Sequence, residues 1–166
     1  MRIFAIKNVP AVGWSSSHPH NIRPRPTTVF WLALGLFLFG AGETLLIAAG
    51  IGVSPWTVLA QGIAVSFDIG IGAATFVVSL CVLLLWLPLR QRPGFGTLCN
   101  VLIISATIGF LLPYIPVPES YWARVLEVCL GTLIVGLSSG IYLVANLGAG
   151  PRDGLMTGLQ SLTGFP

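Results

Sequence analysis

Two stretches, Gly50-Ile51-Gly52-Val53-Ser54-Pro55-Trp56-Thr57 and Asn146-Leu147-Gly148-Ala149-Gly150-Pro151-Arg152-Asp153, stand 96 residues apart in the chain. Each closes a long apolar run with glycines. Each then opens a short helix with proline at its first position, where a missing N–H breaks no helical bond. At the same offset Leu34, Gly35, Gly40, Ala49, Gly52, Pro55, Leu59 and Gly62 fall on Leu130, Gly131, Gly136, Ala145, Gly148, Pro151, Leu155 and Gly158, 8 identities in 31 ungapped positions. The repeating unit holds three apolar spans. An odd number makes the second copy start on the other membrane face, so the two turns belong on opposite sides. This is the inverted-topology pattern of many secondary transporters.

Composition sets the environment. The 166 residues include 8 Lys or Arg and 5 Asp or Glu, for a net charge of +3. Charged residues amount to 8% and hydrophobic ones to 55%, with a mean hydropathy of +0.91. A soluble domain carries about 25% charged residues. The balance excludes a soluble enzyme, a nucleic-acid binder and a disordered chain, and leaves an integral membrane protein. Cys81, Cys99 and Cys129 lie in apolar runs with no disulfide or metal spacing, so no metal or cofactor is expected.

The first span is Thr28 to Gly50, 23 residues with one charge, Glu43. It is long enough for a hydrocarbon core of about 30 Å. The apolar piece ending at Phe67 is too short to cross and reads as a re-entrant or interfacial helix, with Ser54 as N-cap and Pro55 next. Ile69–Leu89, Thr97–Val117 and Tyr121–Asn146 are the second, third and fourth spans. A second short helix follows Pro151. The expected architecture is therefore all-α integral membrane, with four transmembrane helices of a six-helix inverted-repeat (3+3) parent. Short re-entrant or interfacial helices follow spans 1 and 4. Residues 1–27 read as a flexible basic tail, 28–117 as the first three-span repeat, and 121–166 as an incomplete second repeat. Counterparts of the second and third spans would begin near residue 165. The chain is thus expected to be a fragment of a protein of roughly 220 residues that does not transport by itself.

Placing the N-terminus in the cytoplasm puts seven of the eight basic residues on the inner face, with Arg124 the exception. That agrees with the positive-inside rule.

The two Gly/Pro turns, with Leu85-Trp86-Leu87-Pro88-Leu89-Arg90-Gln91-Arg92-Pro93-Gly94-Phe95-Gly96-Thr97 after the second span, resemble the YczE/YyaS/YitT group of bacterial multi-pass membrane proteins. The likeness runs from about Thr28 to the end. It departs at Phe67-Asp68, where the group tends to have Thr-Gly, and in the spans beyond Pro166. The resemblance implies a bacterial cytoplasmic-membrane protein and supplies no substrate.

Candidate contacts for a substrate or ion are Glu43, Ser54, Pro55, Gly148, Gly150, Pro151, Arg152 and Asp153. Glycines at Gly148 and Gly150 allow close backbone approach. Pro151 can open a half-helix whose free N–H groups face an anion. Arg152 adds a fixed charge, and Asp153 can cap the helix or pair with it. The plainer reading is a capped interfacial turn with Arg152 on lipid phosphates. Glu43 is the one formal charge inside a span; such carboxylates are costly and face a cavity or partner. A structural hydrogen bond is its plainer reading. Asp68 reads as an interfacial carboxylate, Arg124 and Glu127 as an i, i+3 ion pair, and Asn100 as a bridge between helices. Gly136-Leu137-Ser138-Ser139-Gly140 matches a hydrolase elbow, but it sits mid-span with no histidine base nearby. It reads as a helix-packing face, and no enzymatic activity is expected. The leading function is a secondary transporter or permease for a small solute. The alternative is a non-transporting membrane protein that scaffolds or assists another system. The expected partners are the lipid bilayer, a small solute and, as an open option, a second copy of the chain, with no nucleic acid.

Overall fold

The computed structural model of the chain describes residues 11–21 and 23–163. Its helices are α1 (Pro26–Ala49), α2 (Pro55–Phe67), α3 (Ile71–Leu85), α4 (Phe95–Leu111), α5 (Tyr121–Val144) and α6 (Pro151–Thr163), and a 3-10 turn over Leu112–Tyr114 extends α4. No strand occurs among the described residues. α1, α4 with its 3-10 turn, and α5 are long and apolar enough to cross a membrane. α2 and α3, bent by 114° at the break between them, make up to a fourth crossing.

α1 is the central element. Over its apolar window 56% of residues are buried, against 17% in α5. Leu32, Leu36 and Ile47 of α1 form the core with Ile104 and Ile108 of α4 and with Tyr142, Ala145 and Leu147 at the end of α5. Lipid is as apolar as leucine, so helices associate through close packing at small residues. A methyl group at Gly35 would lie 3.0 Å from Tyr142 N, and one at Gly42 would lie 2.9 Å from Gly131 O. As the contact on α1 advances from 35 to 42, the contact on α5 retreats from 142 to 131, so the two helices are antiparallel. The loop after α1 and the loop after α5 therefore sit at opposite ends of the bundle. Most buried hydroxyls on these helices bond their own preceding turn, as Thr44 to Gly40 O and Ser105 to Val101 O do. They are satisfied without reference to any site.

Several expectations need correction. The second span, expected over Ile69–Leu89, forms helix only over Ile71–Leu85, 15 residues, or about 22 Å. Pro88 has no N–H and its ring crowds the carbonyl four residues back, and the chain leaves in turns to Arg90 at φ 53°. The basic N-terminal tail was expected to be loose, and its residues 1–10 lie outside the described part. Its later half is docked. Trp14 stacks on Trp31 with centroids 5.7 Å apart, and Thr28 donates to Trp14 O at 2.6 Å. Ser16 N donates to Ala145 O at 3.0 Å, while Asn146 donates to Ser16 O at 2.9 Å. The segment thus satisfies carbonyls that the end of α5 leaves free. His20 bonds Arg92 O at 3.2 Å, which ties the loop after α3 to the same end.

The expected Arg124–Glu127 pair does not form. Arg124 Nε donates instead to Pro118 O at 2.8 Å, and Glu127 Oε2 is buried without a hydrogen-bond partner. Gly136 and Gly140, expected to pack closely, have nothing within 4 Å of an added methyl group among the described residues. Between α1 and α5 the closely packed glycines are Gly35, Gly42 and Gly131.

α3 crosses α4 just as tightly, because a methyl group on Gly72 would lie 2.6 Å from Gly109 Cα, Gly109 N and Ser105 O, all of them backbone. Gly72→Ala should therefore lower stability by about 1–3 kcal/mol, read as a lower melting temperature in detergent. Gly62→Ala, which points into open space, should leave the melt unchanged or raise it.

Candidate functional site

α2 begins as its sequence predicts. Ser54 is the N-cap and accepts from Thr57 N at 3.3 Å, and Pro55 occupies the first helical turn. This brings Thr57 against α1, where its hydroxyl donates to Glu43 Oε2 at 2.9 Å. Ser54 Oγ lies 2.9 Å from Thr57 Oγ1. Thr57 has one proton, so while it donates to Glu43 the Ser54 hydroxyl donates to Thr57. If Glu43 is protonated the chain can run the other way, from Glu43 to Thr57 to Ser54. Glu43 can thus exchange a proton without leaving any of the three unpaired.

α6 begins at Pro151 with Asp153 in its first turn. Tyr142 of α5 donates its hydroxyl to Asp153 Oδ2. The offset of 96 that relates the two turns places Asp153 at the position of Thr57. Each half therefore joins its long helix to the first turn of its short helix by one hydroxyl–carboxylate bond. The acid is on the long helix in the first half and on the short helix in the second.

Both short-helix N-termini open on one cavity of about 270 Å³. Glu43, Ser54 and Thr57 line it from one side, and Tyr142, Gly150, Pro151, Arg152 and Asp153 from the other. Trp56, Phe39, Thr75, Ser79, Asn100 and Ser139 contribute the rest of the polar and aromatic wall, above apolar Ile104 and Ile108. Arg152 Nε stands 3.9 Å from Asp153 Oδ1, too far for a hydrogen bond, which leaves the guanidinium donors free. Glu43 is 8% exposed, whereas the Arg152 side chain is 53% accessible.

Six of the eight candidate residues meet at this cavity: Glu43, Ser54, Gly150, Pro151, Arg152 and Asp153. Pro55 starts α2 beside it without lining it. Gly148 belongs to the scaffold. It has φ 117°, and a methyl group there would lie 2.8 Å from Thr97 Oγ1. Thr97 in turn donates to Ala149 O at 2.7 Å and accepts from Gly94 N at 3.1 Å. That network pins the turn before α6 to the start of α4. Asn100 lines the cavity rather than bridging helices by a hydrogen bond of its own. Asp68 lies at the exposed end of α2, away from the site.

Sequence reasoning missed Thr57 and Tyr142 as acid partners, and it missed Trp86. Trp86 is 3% exposed and donates from its indole N–H to Pro151 O at 3.0 Å. A methyl group on Gly154 would overlap the same ring. The end of α3 thus clamps the first turn of α6. The available signal was a tryptophan four residues before Arg90, in a loop read for its charge and its family resemblance but not for a clamp.

Comparison with known proteins matches residues 26–166 to the family described as "Family of unknown function (DUF6198)". The chain is 34% identical over 154 residues to an uncharacterized protein of Haemophilus influenzae, covering 93% of this chain and 70% of that protein. It is 31% identical over 133 residues to the uncharacterized membrane protein YczE of Bacillus subtilis, covering 79% of this chain and 62% of YczE. The chain therefore spans somewhat under two thirds of the Bacillus relative. No solved structure matches it.

Trp86→Phe keeps the ring and removes the bond to Pro151 O. A net hydrogen bond contributes about 1 kcal/mol, so amide exchange over residues 154–156 should accelerate about fivefold, with α1 unchanged. Unaltered exchange in α6 would show that packing on Gly154 alone holds the turn.

Proposed function

The chain belongs to the DUF6198 family of unknown function, and from that premise we propose that it is built as the core of a secondary transporter for a small solute. One observation carries the proposal. Two broken-helix N-termini, fed by loops at opposite ends of an antiparallel helix pair, converge on one polar cavity that also holds Glu43, the sole formal charge of the first span. Free N–H groups and buried charges are costly in hydrocarbon and are kept where they line a cavity. A site reached from two faces through two related halves is what alternating access requires. The reversible Ser54–Thr57–Glu43 hydrogen-bond chain suits a proton-coupling role for Glu43.

The proposal includes the inverted repeat and a six-span parent. The antiparallel setting of α1 and α5 is what inversion demands of equivalent spans. Gly40 supports the further spans. A methyl group there would lie 2.7 Å from Thr107 of α4, while one on its counterpart Gly136 would have no neighbour within 4 Å among the described residues. The bare face at Gly136 is where a counterpart of α4 would lie. The setting is the bacterial cytoplasmic membrane. The end that gathers Arg23, Arg25, Arg90 and Arg92 faces the cytoplasm with the N-terminus. The proposal assigns no enzymatic step.

Two measurements test it. In a background lacking Cys81, Cys99 and Cys129, Ile51→Cys and Ala149→Cys should react with impermeant maleimide from opposite sides of the membrane; reaction from one side removes the inverted repeat. In proteoliposomes of a six-span form offered a bacterial metabolite extract, a pH gradient should drive uptake of a solute identified by mass spectrometry, and Glu43→Gln should abolish the dependence on the gradient. Undiminished gradient-driven uptake by that variant would remove Glu43 from the coupling step.

A further inference from the structure

Two side chains of opposite charge, Glu43 and Arg152, line the cavity. Thr57 donates to Glu43 Oε2; among the described residues no side chain donates to its other oxygen. Arg152 Nε stands 3.9 Å from Asp153 Oδ1, an ion pair without a hydrogen bond, and Asp153 Oδ2 is taken by Tyr142. A solute in the cavity therefore meets both a carboxylate and a guanidinium with hydrogen-bonding capacity to spare.

We propose that the solute is a small zwitterion, with an ammonium or quaternary ammonium group against Glu43 and a carboxylate against Arg152. The proposal rests on the transporter reading for its biological sense, but not for its chemistry. A solute with only a positive charge would leave the spare donors of Arg152 unused, since Asp153 stands 3.9 Å away without a hydrogen bond, and one with only a negative charge would set its carboxylate near buried Glu43 with no cation to offset it. Each mismatch costs affinity. A zwitterion satisfies both. The walls agree with this orientation. Trp56 lines the cavity on the Glu43 side, where an aromatic face attracts a cation. On the α6 side the guanidinium can hold a carboxylate through two parallel N–H donors, next to the free N–H groups at the start of α6. A volume of about 270 Å³ admits an amino acid or a betaine. It lies below the range of roughly 300–1,000 Å³ usual for larger ligands.

The test is binding to the purified chain in detergent, followed by thermal shift and calorimetry. The probes are the twenty standard amino acids, β-alanine, 4-aminobutyrate and glycine betaine, together with the amine and the carboxylic acid that correspond to each half. At least one zwitterion should raise the melting temperature with its two halves inactive at equal concentration. Glu43→Gln and Arg152→Gln should each weaken that zwitterion about thirtyfold or more, and Arg152→Lys should restore part of the loss. Either half binding as well as the whole, or no zwitterion in the panel binding, overturns the proposal. Native melting temperatures of the variants without ligand separate lost binding from lost folding. Binding without uptake in proteoliposomes would sink the transporter reading and leave the zwitterion site standing. Uptake of an uncharged or singly charged solute would do the reverse.

Discussion

Gly35 and Gly42 let α1 lie on the backbone of α5, and the antiparallel sense of that crossing determines where everything else goes. The loops that follow α1 and α5 are forced to opposite ends of the bundle. Each loop is only a few residues long, so the short helix after it must start beside the helix it has just left. α2 therefore opens at the level of Glu43, and α6 opens at the level of Tyr142. The cavity is the space between these starts, closed at the back by α3 and α4. A side chain at either glycine would separate the long helices, and the two short-helix N-termini would no longer face a shared volume.

The cavity reconciles two demands that conflict in hydrocarbon. Charged side chains and unpaired helix-end N–H groups must be satisfied, yet a binding site needs polar groups with unused capacity. Here the satisfying bonds are few and local. Thr57 takes one oxygen of Glu43, Tyr142 takes one oxygen of Asp153, and Trp86 takes the Pro151 carbonyl. Each bond fixes a group in position while sparing part of its hydrogen-bonding capacity. Arg152 is held by proximity to Asp153 rather than by a hydrogen bond, so it is oriented without being consumed. The buried hydroxyls that bond their own helices, such as Thr44 and Ser105, show what a purely structural polar group looks like in the same environment.

Much of this was legible in the chain because its signals are local. Ser54 and Pro55 announced the start of α2 through capping chemistry, and the solitary Glu43 announced a polar interior. The parts that were not legible depend on the third dimension. Tyr142 reads as one more aromatic in an apolar run until the turn of α5 brings it to Asp153. Gly94 and Thr97 entered only as part of the loop that resembles the family, yet they fasten the turn before α6. The second span was read too long because hydropathy does not register that Pro88 ends a helix while apolar residues continue past it. The Arg124–Glu127 pair failed for a similar reason. Spacing of three residues permits contact, but a carbonyl at Pro118 offered Arg124 a better-placed acceptor.

The two halves are related in sequence without being chemically equivalent, and the difference has a direction. In the first half the acid sits on the long helix and its hydroxyl donor on the short one. In the second half the acid Asp153 is on the short helix, at the position of Thr57, and the hydroxyl is on the long one, where Tyr142 falls on Leu46; an arginine stands where the first half has Trp56. Two identical halves would present two like charges to the cavity, and a solute with charges of opposite sign at its ends could not be oriented. Each half nevertheless keeps one stabilising hydroxyl–carboxylate bond. Replacing tryptophan by arginine then adds a positive pole on one side only. Trp56 and Arg152 thus bring an aromatic face and a guanidinium to the same cavity. That asymmetry rests on the difference between positions 56 and 152, while Pro55 and Pro151, which set the two helix starts, are the same.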